Sequence, residues 1–259
     1  MHCTMARLYS REFGPMRLPA APHCFKPKPI IIASTIVRFY MGMTCDYTPD
    51  QLVDITRVLI RKNKLSSAYI RPLLYYGYGE MGLNPSKNPI ELIIACWEWG
   101  TYLGDASLSN GIRCKISSWT RIDSRSLPPL AKCVANYANS SLAKQEAIAC
   151  GYDEAILLAS NGHIAEGPGE NLFLVKNGSL ITPPCSDSAL RGITAQSVIQ
   201  LAESCGIPVR YQSFIRDDLL LADELFFTGT AAEITPIREI DGRVIRSNGR
   251  GEITEKLQT

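Results

Sequence analysis

Two hydrophobic periods alternate along the chain. Between residues 48 and 63, Leu52, Ile55, Val58 and Leu59 recur at helical spacing behind a Thr48-Pro49 start, which predicts a helix there. Residues 67–76 and 90–97 are apolar runs of strand type, separated by a glycine-rich loop over 77–88, and 111–120 alternates as a strand does. Residues 134–150 hold strong helix formers and stop at Gly151. Short strands follow over 154–159, 171–176 and 179–182, with turn signals at Asn161-Gly162 and Asn177-Gly178, so an antiparallel meander is predicted. Ile193, Val198, Leu201, Ala202 and Cys205 mark a second long helix, closed by Gly206. A strand at 209–212, a short helix at 217–222 and strands at 224–228 and 234–240 complete the pattern, with Asp241-Gly242 as a last hairpin turn. Residues 1–38 carry no convincing period, although 30–37 read as a strand.

Composition narrows the class. The 259 residues are 46% hydrophobic and 20% charged, enough for one large domain or two modest ones with a sizeable core. A net charge of +2 gives no basic patch for a nucleic acid. The nine cysteines form no C-x-x-C pair, which argues against a zinc site, and no metal ligand set is expected. Arg7, Arg11 and Arg17 lie in an acid-poor start without the amphipathic repeat of a transit peptide. With no secretory signal and no apolar run of spanning length, the expectation is a cytoplasmic protein with free thiols and no membrane partner.

Candidate chemistry gathers around Lys132 in Leu-Pro-Pro-Leu-Ala-Lys132-Cys-Val-Ala. An amine buried on an apolar segment loses affinity for its proton and becomes a usable nucleophile. The alternative is a surface lysine whose stem lies along apolar neighbours. Glu166, in His-Ile-Ala-Glu166-Gly-Pro-Gly-Glu170-Asn-Leu-Phe, is a carboxylate on a tightly shaped backbone that could pair with a protonated ring nitrogen, or else a solvated loop glutamate. Leu190-Arg-Gly-Ile-Thr194 precedes a helix and could present amides and a hydroxyl to a phosphate, or serve only as a cap. Phe227-Thr-Gly229-Thr230-Ala231 offers a second small-residue turn of the same kind, or a bulge. Tyr137 could bond a ring hydroxyl. No single element is specific, but an amine, a ring-nitrogen carboxylate and two phosphate-grade turns together point to pyridoxal 5′-phosphate.

From about residue 44 onward the chain closely resembles the branched-chain amino acid aminotransferases, fold type IV pyridoxal-phosphate enzymes. The matching segments are Ser67-Ala-Tyr-Ile-Arg-Pro, Met81-Gly-Leu-Asn-Pro, Trp99-Gly-Thr-Tyr-Leu-Gly, Glu166-Gly-Pro-Gly-Glu-Asn-Leu-Phe, Ala189-Leu-Arg-Gly-Ile-Thr and Thr228-Gly-Thr-Ala-Ala-Glu-Ile-Thr-Pro. The resemblance implies an α+β, two-domain fold of D-amino acid aminotransferase type. Residues 1–38 would be irregular and unmatched, 39–106 the remnant of a small amino-terminal α/β domain, 107–111 a linker, and 112–259 a larger antiparallel, barrel-like cofactor domain. It implies that Lys132 bonds the cofactor and moves the proton at the substrate Cα. Tyr137 would stand near the ring hydroxyl, Glu166 at the ring nitrogen and Leu190 on the ring face. Ile193, Thr194, Gly229 and Thr230 would hold the phosphate. Arg71, Tyr102, Thr230 and Ala231 would line the substrate pocket. The implied reaction passes the amino group of L-leucine, L-isoleucine or L-valine to 2-oxoglutarate, as in amino-acid biosynthesis, in a homo-oligomer of dimer or hexamer size.

Two departures bear on this. The family grips the phosphate with an arginine in a Phe-Arg-Leu-x-x-His-like segment that residues 1–38 lack, Lys26 and Lys28 standing in a different setting. The chain also stops at Glu255-Lys-Leu-Gln-Thr, inside the family's terminal helix. Loss of one charge-assisted contact removes on the order of 1.5–3 kcal/mol, so weak cofactor binding or instability is expected. Competing readings are a D-amino acid transaminase or aminodeoxychorismate lyase of the same fold, and a non-catalytic remnant.

Overall fold

The computed structural model describes residues 6–9, 39–100, 102–104 and 106–259. It forms two compact units, Met1–Gly100 with Ala131–Val134, and Thr101–Leu130 with Ala135–Thr259. The first contains strand β1 (Ala6–Tyr9), helix α1 (Pro49–Lys62), β2 (Ser67–Tyr76) and β3 (Ile90–Trp97). The three strands form an antiparallel sheet in the order β1-β2-β3. β1 falls within the span expected to be irregular, pairing Ala6 with Ile70 and Tyr9 with Ser67. The strand expected at 30–37 lies outside the described residues.

Helix α1 begins as its sequence signals. Gln51 N–H donates to Thr48 Oγ1, and Thr48 N–H donates to Gln51 Oε1 at 2.8 Å, a reciprocal capping box. Its buried face, however, is Val53, Thr56 and Ile60. Ile55 and Val58, part of the apolar pattern, are 40% and 44% exposed. Thr56 can occupy a buried position because its hydroxyl donates to the Leu52 carbonyl at 2.7 Å. Ile60 then packs with Ala68 and Ile70 of β2.

The second unit carries α2 (Ser107–Asn110), β4 (Ile112–Ile116), α3 (Asn136–Ala149), β5 (Glu154–Leu158), β6 (Ile164–Glu166), β7 (Asn171–Lys176) and β8 (Ser179–Thr182). After a 3-10 turn at Cys185–Asp187 come α4 (Ile193–Ser204), β9 (Val209–Tyr211), α5 (Arg216–Leu220), β10 (Glu224–Gly229), β11 (Glu233–Ile240), β12 (Arg243–Val244) and α6 (Glu252–Gln258). Residues 107–110, expected as linker, form the short helix α2.

The strands run β6-β5-β4-β11-β10-β7-β8-β9, with β12 beside β11. This corrects the meander. β6 and β7 follow one another in the chain yet are not neighbours: β6 pairs with β5, and β7 with β10 and β8, while the Gly167-Pro168-Gly169 turn between them is closed by Gly167 N–H donating to the Glu170 carbonyl at 2.8 Å. β4 pairs in parallel with both β5 and β11, and β8 with β9, so the curled sheet is mixed rather than antiparallel. Parallel neighbours need long crossovers, which α3 and α4 provide.

Both faces of the central strands are buried, which explains their unbroken apolar runs. Along β10, Leu225 and Phe227 enter one core with Ile112, Leu172 and Ile237, while Phe226 enters the other with Val198 of α4 and Leu257 of α6. There Phe226 stacks on Phe173, ring centroids 5.2 Å apart. Among the described residues no helix is long and apolar enough to cross a membrane.

Candidate active site

Glu166 ends β6 and is only 3% exposed. A carboxylate at that depth is tolerated only when paired and hydrogen-bonded. Its Oε1 lies 2.8 Å from Arg121 Nη2. Its Oε2 accepts from Asn171 Nδ2 at 3.1 Å and from Leu190 N–H at 2.9 Å.

Arg121 is itself buried and is aimed by its surroundings. Its N–H donates to the Leu158 carbonyl at 2.7 Å, and Nη1 donates to Ser140 Oγ on α3 at 3.1 Å. Upstream, Glu146 of α3 accepts from the Ser117 hydroxyl at 2.5 Å and from Ser118 N–H at 3.0 Å, holding the segment that leads to Arg121.

Asn171, at the start of β7, ties several candidate residues together. Its Nδ2 also donates to the Leu190 carbonyl at 2.6 Å, so the Leu190 backbone is gripped at both ends. Its Oδ1 occupies the space that a Cβ at Gly192 would need. Across the sheet it pairs with Thr228 of β10. One side chain thus connects the Glu166 carboxylate, the residue assigned to a ring face and the start of α4.

That start has the features of a candidate anion site. Gly192 is the N-cap of α4 and offers no side-chain acceptor, while first-turn amides have no partner within a helix. Ile193 and Thr194 are the first two helical residues. Gly229 ends β10, and a Cβ there would come within 3.4 Å of the Gly169 carbonyl. Thr230 and Ala231 form the half-buried turn that follows, and the buried Thr228 hydroxyl has no hydrogen-bond partner among the described residues. A bare helix start, a close-approach glycine and an orphaned hydroxyl fit a phosphate. Tyr137 lies in the first turn of α3, half-buried. The Tyr102 ring lies 5.3 Å from Lys144 Nζ.

The other candidates belong to the first unit. Lys132 sits at the apex of a tight turn in which Cys133 N–H donates to the Ala131 carbonyl at 2.7 Å. Ala131 and Cys133 are buried and Lys132 is half-buried, short of the full burial its apolar neighbours suggest. Arg71 of β2 lies against aromatic rings, its guanidinium carbon 5.5 Å from the Tyr69 centroid and 5.4 Å from that of Trp97. Nη2 donates to the Tyr69 hydroxyl at 3.3 Å, while Nε is buried without a partner among the described residues.

Sequence reading missed Arg121 and assigned no role to Asn171 or Glu170. Asn171 and Glu170 were in view inside the glycine-rich motif. Arg121 follows a strand with no turn, spacing or composition to distinguish it.

Comparisons with known proteins identify the family. Residues 34–240 match the family Amino-transferase class IV. The branched-chain-amino-acid aminotransferase of Escherichia coli (strain K12) is 48% identical over 253 residues, 97% of this chain and 80% of that protein. The alignment therefore reaches into residues 1–38, which were expected to be unmatched. The crystal structure of the Escherichia coli enzyme superposes with a TM-score of 0.89 at 43% identity, covering 90% of this chain and 77% of the other. The branched-chain amino acid aminotransferase from Thermobaculum terrenum, solved in its PLP-form, superposes with a TM-score of 0.85 at 35% identity, covering 90% and 76%. With the family matched over residues 34–240 and relatives matched along most of their length, the chain belongs to the class IV aminotransferases and is an enzyme of the branched-chain-amino-acid aminotransferase type.

Proposed function

We propose that this aminotransferase uses pyridoxal 5′-phosphate to exchange an amino group between L-leucine, L-isoleucine or L-valine and 2-oxoglutarate. The observation that carries the cofactor reading is Glu166, a buried carboxylate held by Arg121, Asn171 and Leu190 N–H. Such a group suits a protonated ring nitrogen. The Thermobaculum terrenum relative was solved in a PLP-bound holo-form, which supports the same reading. When bound, the cofactor supplies an electron sink for the carbanion formed at the substrate Cα.

The residues divide the remaining work. Glu166 holds the ring nitrogen in its protonated form, and Arg121 keeps Glu166 oriented. Leu190 packs on the ring, its backbone locked by Asn171 and Glu166. The amides of Ile193 and Thr194, with Gly229 and Thr230, bind the phosphate. Tyr137 bonds the ring hydroxyl. Lys132 Nζ would hold the cofactor and would carry the proton to and from Cα. Arg71, Tyr102, Thr230 and Ala231 receive the substrate. Arg71 among aromatic rings suits a site with two guests: the guanidinium binds the second carboxylate of glutamate, and Tyr69 and Trp97 offer apolar surface to a branched side chain. The assembly is a homo-oligomer, dimer or hexamer, which light scattering would measure.

The test is a substrate panel on protein reconstituted with pyridoxal 5′-phosphate. Glutamate should form from 2-oxoglutarate with L-leucine, L-isoleucine and L-valine, and Lys132→Ala should abolish it. Turnover of D-alanine or aminodeoxychorismate in place of these would overturn the assignment.

A further inference from the structure

Glu170 is a buried acid for which the proposed reaction has no use. It is 5% exposed, and its Oε2 accepts from Gly169 N–H at 3.0 Å. A Cβ at Gly167 would come within 2.7 Å of that oxygen, and one at Gly229 within 3.6 Å of Glu170 Cγ. The side chain is therefore wedged between the motif glycines and the turn assigned to the phosphate.

Among the described residues the charges around it do not balance. Among the described residues, three buried carboxylates belong to this cluster: Glu154 at the start of β5, Glu166 at the end of β6, and Glu170. Arg121 is paired with Glu166 at 2.8 Å, and Lys144 of α3 with Glu154 at 2.7 Å. Both cations face other acids. The buried Cys114 thiol of β4 also feels Glu154 and Glu170 and is pushed well up by its burial, so it adds no charge. An unpaired buried carboxylate avoids its desolvation cost by keeping its proton. Burial first, and the Glu154 charge second, push Glu170 up to about 8.

We propose that Glu170 is a positioning residue, held as an uncharged carboxylic acid against Gly229 so that the Gly229-Thr230 turn can receive a phosphate dianion, and that loss of its proton weakens the hold on that anion. The idea deepens the cofactor reading above and rests on it. Two negative charges at close range in a poorly hydrated site repel strongly, whereas a neutral acid leaves the turn and the α4 amides free to attract.

The experiment measures the dissociation constant of pyridoxal 5′-phosphate against pH in the wild-type protein and in Glu170→Gln. Titration of the cofactor is common to both proteins, so their ratio reports on Glu170. Wild type should weaken relative to the variant by about tenfold between about pH 7 and about pH 9. Pyridoxal, which lacks the phosphate, should show no such divergence. Parallel pH profiles, or equal divergence with pyridoxal, would overturn the proposal. Infrared spectra of wild-type protein and Glu170→Gln with isotope-labelled glutamate provide a second readout that needs no cofactor. A protonated-carboxyl band at neutral pH, lost at alkaline pH and missing from the variant, is expected; the variant is needed because burial also raises Glu154. A band no weaker in the variant, or none in wild type, would overturn the neutral state. Failure to bind cofactor at any pH would overturn the functional reading and with it the phosphate coupling, while the infrared band still decides the protonation.

Discussion

Arg121 Nη2 lies 2.8 Å from Glu166 Oε1, and both side chains are buried. The pair joins the loop after β4 to the end of β6, so orientation of the Glu166 carboxylate depends on a residue outside every motif. Removing one member of a buried pair leaves an uncompensated charge, which costs about 3–5 kcal/mol. Arg121→Met should lower stability by that amount in urea denaturation. Glu166→Gln, which leaves an amide able to bond Arg121, should cost less stability yet lose the ring-nitrogen partner and most of the activity.

Gly192 has no room for a side chain. A Cβ there would collide with Asn171 Oδ1, and Asn171 would have to release Glu166 or Leu190 to move. Overpacking of this kind costs typically about 1–3 kcal/mol. Gly192→Ala should destabilise by that amount and also weaken pyridoxal 5′-phosphate binding, read by equilibrium dialysis. Unchanged binding would separate Asn171 from the cofactor site.

Stability should fall as pH rises toward 8. Glu170 binds its proton more tightly in the folded protein, up to about 8 from an ordinary 4.5, chiefly because it is buried. Below the unfolded value both states are protonated and the stability tied to this proton is fully present. Above it the unfolded chain releases the proton first, and stability falls by up to about 1.4 kcal/mol per pH unit until the folded acid also ionises. Glu170→Gln should flatten this decline. Denaturant midpoints at several pH values measure it.

Helix α6 is capped from a distance. Gly251 is its N-cap, and Glu224 of β10 takes the acceptor role, receiving Ile253 N–H at 2.9 Å, Thr254 N–H at 2.8 Å and the Thr254 hydroxyl at 2.7 Å. Glu224→Ala should cost about 1–3 kcal/mol by stranding these donors. It should leave cofactor affinity unchanged, because Glu224 lies at the opposite end of β10 from Gly229.

The Glu166–Asn171 stretch and the Gly192 and Gly229 turns are legible in the chain because glycine, proline and capping chemistry act over a few residues. The same locality made α1 readable from Thr48-Pro49 and hid its buried face, since Thr56 lies inside only through a bond to the Leu52 carbonyl. Strand neighbours were harder still. β6 and β7 are adjacent in sequence and apart in the sheet, and period-two alternation carries no record of its partner.

By itself, then, the sequence determined most of the helices and strands, though not β1, β6 or α2, together with the family resemblance and the residues placed by local turns. Tertiary structure decided which charges meet. Arg121 reaches Glu166 through the parallel pairing of β4 with β5 and the antiparallel pairing of β5 with β6. Among the described residues Glu170 lacks a cation because Lys144 and Arg121 pair elsewhere. Pairing and desolvation arise only when distant segments close on one another, and a buried acid's proton depends on that closure rather than on its neighbours in the chain.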